Sequence, residues 1–191
     1  MVKRVNAVSG LEGFRAEWDA GKGNASRANE AEAPTDGPIN IEGSARCQSA
    51  AIYTPAAPEF RGSIEARVRP LVLLLVEQLG CITYSSCEGH PPEEEALMRG
   101  RHVGILPRDD ADRVRLRELL VAAAAATSPA SDRDLVDLQI REDVIASDGP
   151  DVHCIDILFV AGSYDWAAYA GKVEAVQAAF LERLQAVAHT S

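Results

Sequence analysis

From Trp166 to Val187 the apolar residues Trp166, Tyr169, Val173, Val176, Phe180, Leu184 and Val187 recur every three or four positions. On a helix that spacing draws one continuous stripe over about six turns. Such a helix is not stable alone in water; its stability comes from packing the stripe on another apolar surface. Asp165, immediately before it, is a candidate N-cap. The rest of the chain therefore has to supply a long apolar face, and the upstream pattern is that of strands.

Val136, Leu138 and Ile140 alternate with Asp137, Gln139 and Arg141, the period of a half-buried strand. Ser147-Asp148-Gly149-Pro150 reads as a turn. It leads to a strand over residues 152–160, whose Ile155, Ile157 and Phe159 share one face. Two shorter strands are expected at Cys81 to Ser85 and at His102 to Leu106. Apolar positions 64, 68, 71, 72, 75 and 79 predict a helix from Ile64 to Leu79. Ser63 would be its cap, Pro70 its start or a kink, and Gly80 the residue past its end. Asp109 or Asp110 opens another helix that runs through Ala126. The predicted order is helix, strand, strand, helix, strand, strand, helix. That is an α+β fold, a small sheet of about four strands with helices packed on one face.

Residues 1–50 are rich in Gly, Ala, Asn, Glu and Ser and read as a flexible N-terminal arm. Leu11, Phe14 and Trp18 within it allow one short amphipathic turn. Residues 51–191 form a single domain. The formal net charge of -10 disfavours nucleic-acid partners. The longest apolar run, Leu71 to Val76, is too short for a membrane span. No secretory segment is visible near Met1, so the expected compartment is the cytoplasm and Cys47, Cys81, Cys87 and Cys154 are expected as thiols. A homodimer through the last helix is the expected assembly, if there is one.

The chemistry concentrates in Thr83-Tyr84-Ser85-Ser86-Cys87-Glu88-Gly89-His90-Pro91-Pro92. Cys87 and His90 have a spacing that lets thiolate and imidazole reach one zinc ion across a tight turn, with His102 as a third ligand and Glu88 as a proton carrier. His153 and Cys154 alternate, so only one of them can approach from the later strand. In the other chemical reading Cys87 is a nucleophile, His90 its base and Glu88 the group that orients the base. In a third, Ser85, Ser86, Gly89 and the guanidinium of Arg101 or Arg108 grip a small anionic ligand, with Arg99 completing the only basic cluster nearby. The plainest alternative is that Cys87 is core packing and His90 holds the loop. His153 shares parity with Ile155, Ile157 and Phe159 and is expected at the edge of the core.

The run Thr83, Ser85, Ser86, Cys87 and Gly89 resembles the motif of the tRNA wybutosine-synthesis family, and Val152-His153-Cys154 before the last helix is similar in placement to a later segment of those proteins. Glu88 and His90 stand where that family has serine and arginine. The resemblance implies an S-adenosylmethionine-dependent methyltransferase. Small bacterial proteins carrying Ser-Cys-Glu-Gly-His-Pro are also similar, and no activity carries over from them. The leading expectation is a small enzyme centred on Cys87, Glu88 and His90, zinc-assisted, acting on a small anionic substrate. The alternatives are a methyltransferase-like protein and a non-catalytic ligand-binding or interaction module.

Overall fold

The structure, a computed structural model, describes residues 3–4, 11–21, 24–25, 52–58, 60–91, 100–127, 135–145, 151–163 and 165–188. Along the chain the elements are β1 (Lys3–Arg4), α1 (Leu11–Asp19), β2 (Asn24–Ala25), β3 (Ile52–Tyr53), α2 (Phe60–Ser63), α3 (Arg69–Glu77), β4 (Ile82–Cys87), β5 (Arg101–Leu106), α4 (Asp110–Thr127), β6 (Val136–Ile145), β7 (Val152–Ala161) and α5 (Trp166–Ala188). Strands β6, β7, β5 and β4 form an antiparallel sheet in that order, with β1 added parallel to β6. The α+β architecture anticipated from the pattern is the one observed. β2 and β3 make a separate short ribbon. Among the described residues, no helix is long and apolar enough to cross a membrane.

The stripe on α5 explains the arrangement. Tyr169, Val173, Phe180 and Leu184 are buried, and the Phe180 ring meets Phe159 of β7 edge-on at 6.3 Å. In the ladder, Val103 and Ile105 of β5 pair with Ile157 and Ile155 of β7. Leu138 and Ile140 of β6 pair with Phe159 and Ile157. The apolar alternation of three strands thus falls on the face that the helices cover.

The segment before β4 departs from the sequence expectation. Helix α3 starts only at Arg69, with Pro70 in its first turn, and Ile64 to Val68 are not helical. Proline has no N–H to donate to a preceding turn, and its ring excludes a carbonyl four residues back, so the helical period of Ile64 and Val68 does not extend the helix. Ser63 is not an N-cap; it ends α2 and donates to the Phe60 carbonyl at 2.8 Å. Gly80 closes α3 as expected, at φ +66°, and the Cys81 N–H returns to the Leu75 carbonyl.

Two further expectations change. His153 is exposed rather than at the core edge, although Ile155, Ile157 and Phe159 are buried; it pairs with Val144 near the start of β7. Within residues 1–50, α1 docks Phe14 and Trp18 into the core, and Trp18 packs edge-on against Phe60. The flexibility expected of the arm otherwise falls on residues outside the described ones, as do the turn at 147–150, Cys47 and Arg99.

Strand β4 carries a bulge. Its register against β5 shifts between Thr83 and Ser85, so that Ser85 pairs with Gly104, Ser86 with Val103 and Cys87 with His102. Tyr84 lies over Gly104, where a Cβ would stand 2.5 Å from the ring. Its hydroxyl donates to Asp156 at 2.9 Å. Burial, and then Asp156, push the Tyr84 pKa well above its usual 10.0, so the phenol stays protonated. Gly104→Ala is expected to displace this ring and to lower stability by about 1–3 kcal/mol, read as a lower urea midpoint at unchanged slope.

Candidate metal centre

Strand β4 runs on to Cys87, two residues further than the pattern predicts, so Ser86 and Cys87 join Ser85 as ladder residues rather than loop residues. Gly89 then takes φ +90°, a conformation that glycine adopts without a Cβ penalty. Its N–H donates back to the Cys87 Sγ at 3.4 Å, and His90 follows directly. The non-helical turn before α3 brings Glu65 alongside. The ligand atoms of Glu65, Cys87 and His90 all lie within 4.8 Å of one another. Glu65 Oε1 and His90 Nε2 lie 2.8 Å apart. The thiol is the buried member; Glu65 and His90 are half-buried, so the cluster faces solvent on its carboxylate and imidazole side.

Both segments of the site are clasped together. Glu65 Oε2 accepts the Glu88 N–H at 2.7 Å, and Glu88 Oε2 accepts the Arg67 N–H at 2.9 Å. Beneath them sits Arg101, which is 1% exposed. Its Nε donates to the Glu88 carbonyl at 3.0 Å. Its two terminal nitrogens donate to both carboxylate oxygens of Glu174 and to Gln177 Oε1. Gln177 Nε2 in turn donates to the Arg67 carbonyl at 2.8 Å. One helix, α5, therefore holds both the 65–67 and the 88–90 segments through a single buried guanidinium and amide. Tyr169 completes the support: its hydroxyl accepts the Arg101 N–H and donates to the Phe159 carbonyl.

The expected site residues separate accordingly. Cys87 and His90 converge, as the spacing suggested. His102 does not join them; its Nε2 lies 3.0 Å from Ser85 Oγ, and Glu65 takes the third position instead. Glu88 lies outside the cluster, its carboxylate engaged by the Arg67 backbone. Arg101 is a structural pin rather than an anion clamp. Arg108 is elsewhere, bound to Asp19 and to the Gly80 carbonyl, where it ties α1 to the end of α3. Ser86 pairs with Val103 and is buried.

No protein-family model, no curated protein and no solved structure matches this chain. Cys81, Cys87 and Cys154 are all buried thiols without a disulfide. Burial, and then the nearby Asp112, push the Cys81 pKa up to about 12, with Arg115 and Arg108 only partly opposing. At pH 8 in the folded state Cys81 is expected to resist a thiol-disulfide reagent, reacting only on denaturation, as peptide mapping of the labelled sites would show.

Sequence reasoning missed Glu65, Glu174 and Gln177. Pro70, five residues beyond Glu65, was the signal for the first, because it argued for a turn where the apolar period argued for a helix.

Proposed function

We propose that Glu65, Cys87 and His90 bind one zinc-type transition-metal ion and that the protein is a small metal-assisted enzyme. The observation that supports this is the convergence of a thiol, an imidazole and a carboxylate from two separate segments within 4.8 Å. Zinc binds such atoms at about 2.0–2.3 Å, which places ligand atoms about 3–4 Å apart. The Glu65–His90 pair, at 2.8 Å, has to open for an ion to enter between them. Three protein ligands leave a fourth position open, the arrangement of a catalytic rather than a structural site. The bound ion would supply Lewis acidity toward a carbonyl or phosphoryl oxygen. The Glu88 N–H, donating to Glu65 Oε2, orients the carboxylate. Arg67, exposed and two residues from Glu65, is the guanidinium offered to a small anionic substrate, in place of Arg101 and Arg108.

Elemental analysis of protein purified without chelator is expected to give one zinc per chain, and cobalt substitution a thiolate charge-transfer band that disappears in Cys87→Ser. A chain that takes up neither ion at micromolar concentration sinks the reading. Because the imidazole and thiol must surrender their protons to a metal, uptake is expected to release protons and to tighten as pH rises, measurable by titration in weakly buffered solution.

A second reading follows from the Ser85-Ser86-Cys87 order at the end of β4 with Gly89 at positive φ, the part of the chain that resembles the wybutosine-synthesis motif. It is an S-adenosylmethionine-binding, methyltransferase-like protein, for which calorimetry with that cofactor should give a saturable heat; none up to millimolar concentration removes it.

A further inference from the structure

We propose a second reactive pair, beside the candidate metal centre: Ser85 as a nucleophile toward acyl esters, with His102 as its general base. The bulge in β4 creates the pairing. An unbroken ladder from the Thr83–Ile105 pair would set Ser85 opposite Val103, on the face the helices cover. The one-residue shift sets it opposite Gly104 instead, on the face of His102. There Ser85 Oγ and His102 Nε2 lie 3.0 Å apart, within the reach a nucleophile and its base require.

His102 Nδ1 faces the Gly100 carbonyl at 3.5 Å. In the tautomer that donates Nδ1–H to this carbonyl, Nε2 is left to accept from the serine hydroxyl. That is the tautomer in which His102 can accept the hydroxyl proton. Ser85 is buried and His102 half-buried. Both residues stand on adjacent strands of the central sheet, where their geometry is held more closely than on a loop.

In the step that follows, the Ser85 hydroxyl proton passes to His102 Nε2 as Oγ bonds to the ester carbonyl carbon. The bond from that carbon to the alkoxide breaks, and the leaving alkoxide takes the proton from Nε2. Water, deprotonated by the same nitrogen, then releases the acid and restores Ser85.

The test uses an alkyl fluorophosphonate, which replaces its fluoride with serine oxygen, on the full chain with and without added zinc. Intact mass and peptide mapping are expected to show one adduct, on Ser85, in both conditions. Ser85→Ala should abolish it, Ser86→Ala should leave it unchanged, and His102→Gln should slow it about hundredfold, a typical general-base contribution. Absence of a Ser85 adduct at millimolar reagent overturns the proposal. So does a His102→Gln chain, folded by circular dichroism, that labels at the rate of the unaltered protein. Where either variant fails to fold, labelling of the unaltered chain decides alone.

Discussion

Glu65→Gln is expected to weaken zinc binding by about a hundredfold or more, while His102→Gln leaves the affinity within about twofold. Loss even of groups that only orient metal ligands commonly costs 10–100-fold, and loss of a ligand carboxylate costs at least as much. Competition titration against a chromophoric chelator reads both values. Glutamine preserves the size of residue 65 and a carbonyl oxygen able to accept the Glu88 N–H, so the clasp survives while the charged ligand is lost. Equal losses in the two variants would instead return the third ligand to His102. Retention of full affinity in Glu65→Gln would reduce the cluster to a carboxylate–imidazole contact beside a buried thiol.

The second large effect is on stability. Arg101→Met is expected to destabilise the fold by about 3 kcal/mol, because the Glu88 carbonyl and Gln177 Oε1 lose their buried donor and each such orphan costs about 1–3 kcal/mol. Glu174 is half-exposed and can turn to water, so it adds less. The effect carries a pH signature. Hydrogen bonding to Arg101 lowers the Glu174 pKa from 4.5, against a smaller opposing effect of burial. A carboxyl with a depressed folded-state pKa stabilises the protein above its ordinary value and loses that contribution as pH falls through the lowered one. The stability gap between the unaltered chain and Arg101→Met should therefore be full at pH 7 and narrow below about pH 4.5. Urea unfolding at a series of pH values measures it; a gap that stays constant down to pH 3 would remove Glu174 from the account.

Much of the fold was written in periodicity. The α5 stripe, the alternation in β6 and β7 and the order of elements all depend on nearest-neighbour spacing, which a sequence displays directly. Cys87 and His90 were visible for the same reason, since three residues across a tight turn can only lie close together. Glu65 was hidden by a conflict between two local signals, an apolar helical period and a proline, and the proline prevailed. The bulge in β4 was invisible because Thr83 to Cys87 contains no glycine or proline to mark it. That one slipped residue exchanged the faces of Ser85 and Ser86, paired Cys87 with His102 across the ladder, and left the His102 imidazole within reach of the Ser85 hydroxyl. Arg101 read as a surface cation because its partners Glu174 and Gln177 lie over seventy positions away. Only packing could bring them under one guanidinium.

The suspension of both site segments from α5 governs how the centre comes apart. Withdrawing Gln177 and Glu174 together would free the Arg67 carbonyl and the Arg101 guanidinium in the same movement, and with them the strand end that carries the thiol. Ligands hung from one beam fall together: if zinc binds as proposed, its release is expected to be a single concerted event, timed by the lifting of α5 rather than by the fraying of the turn at Gly89.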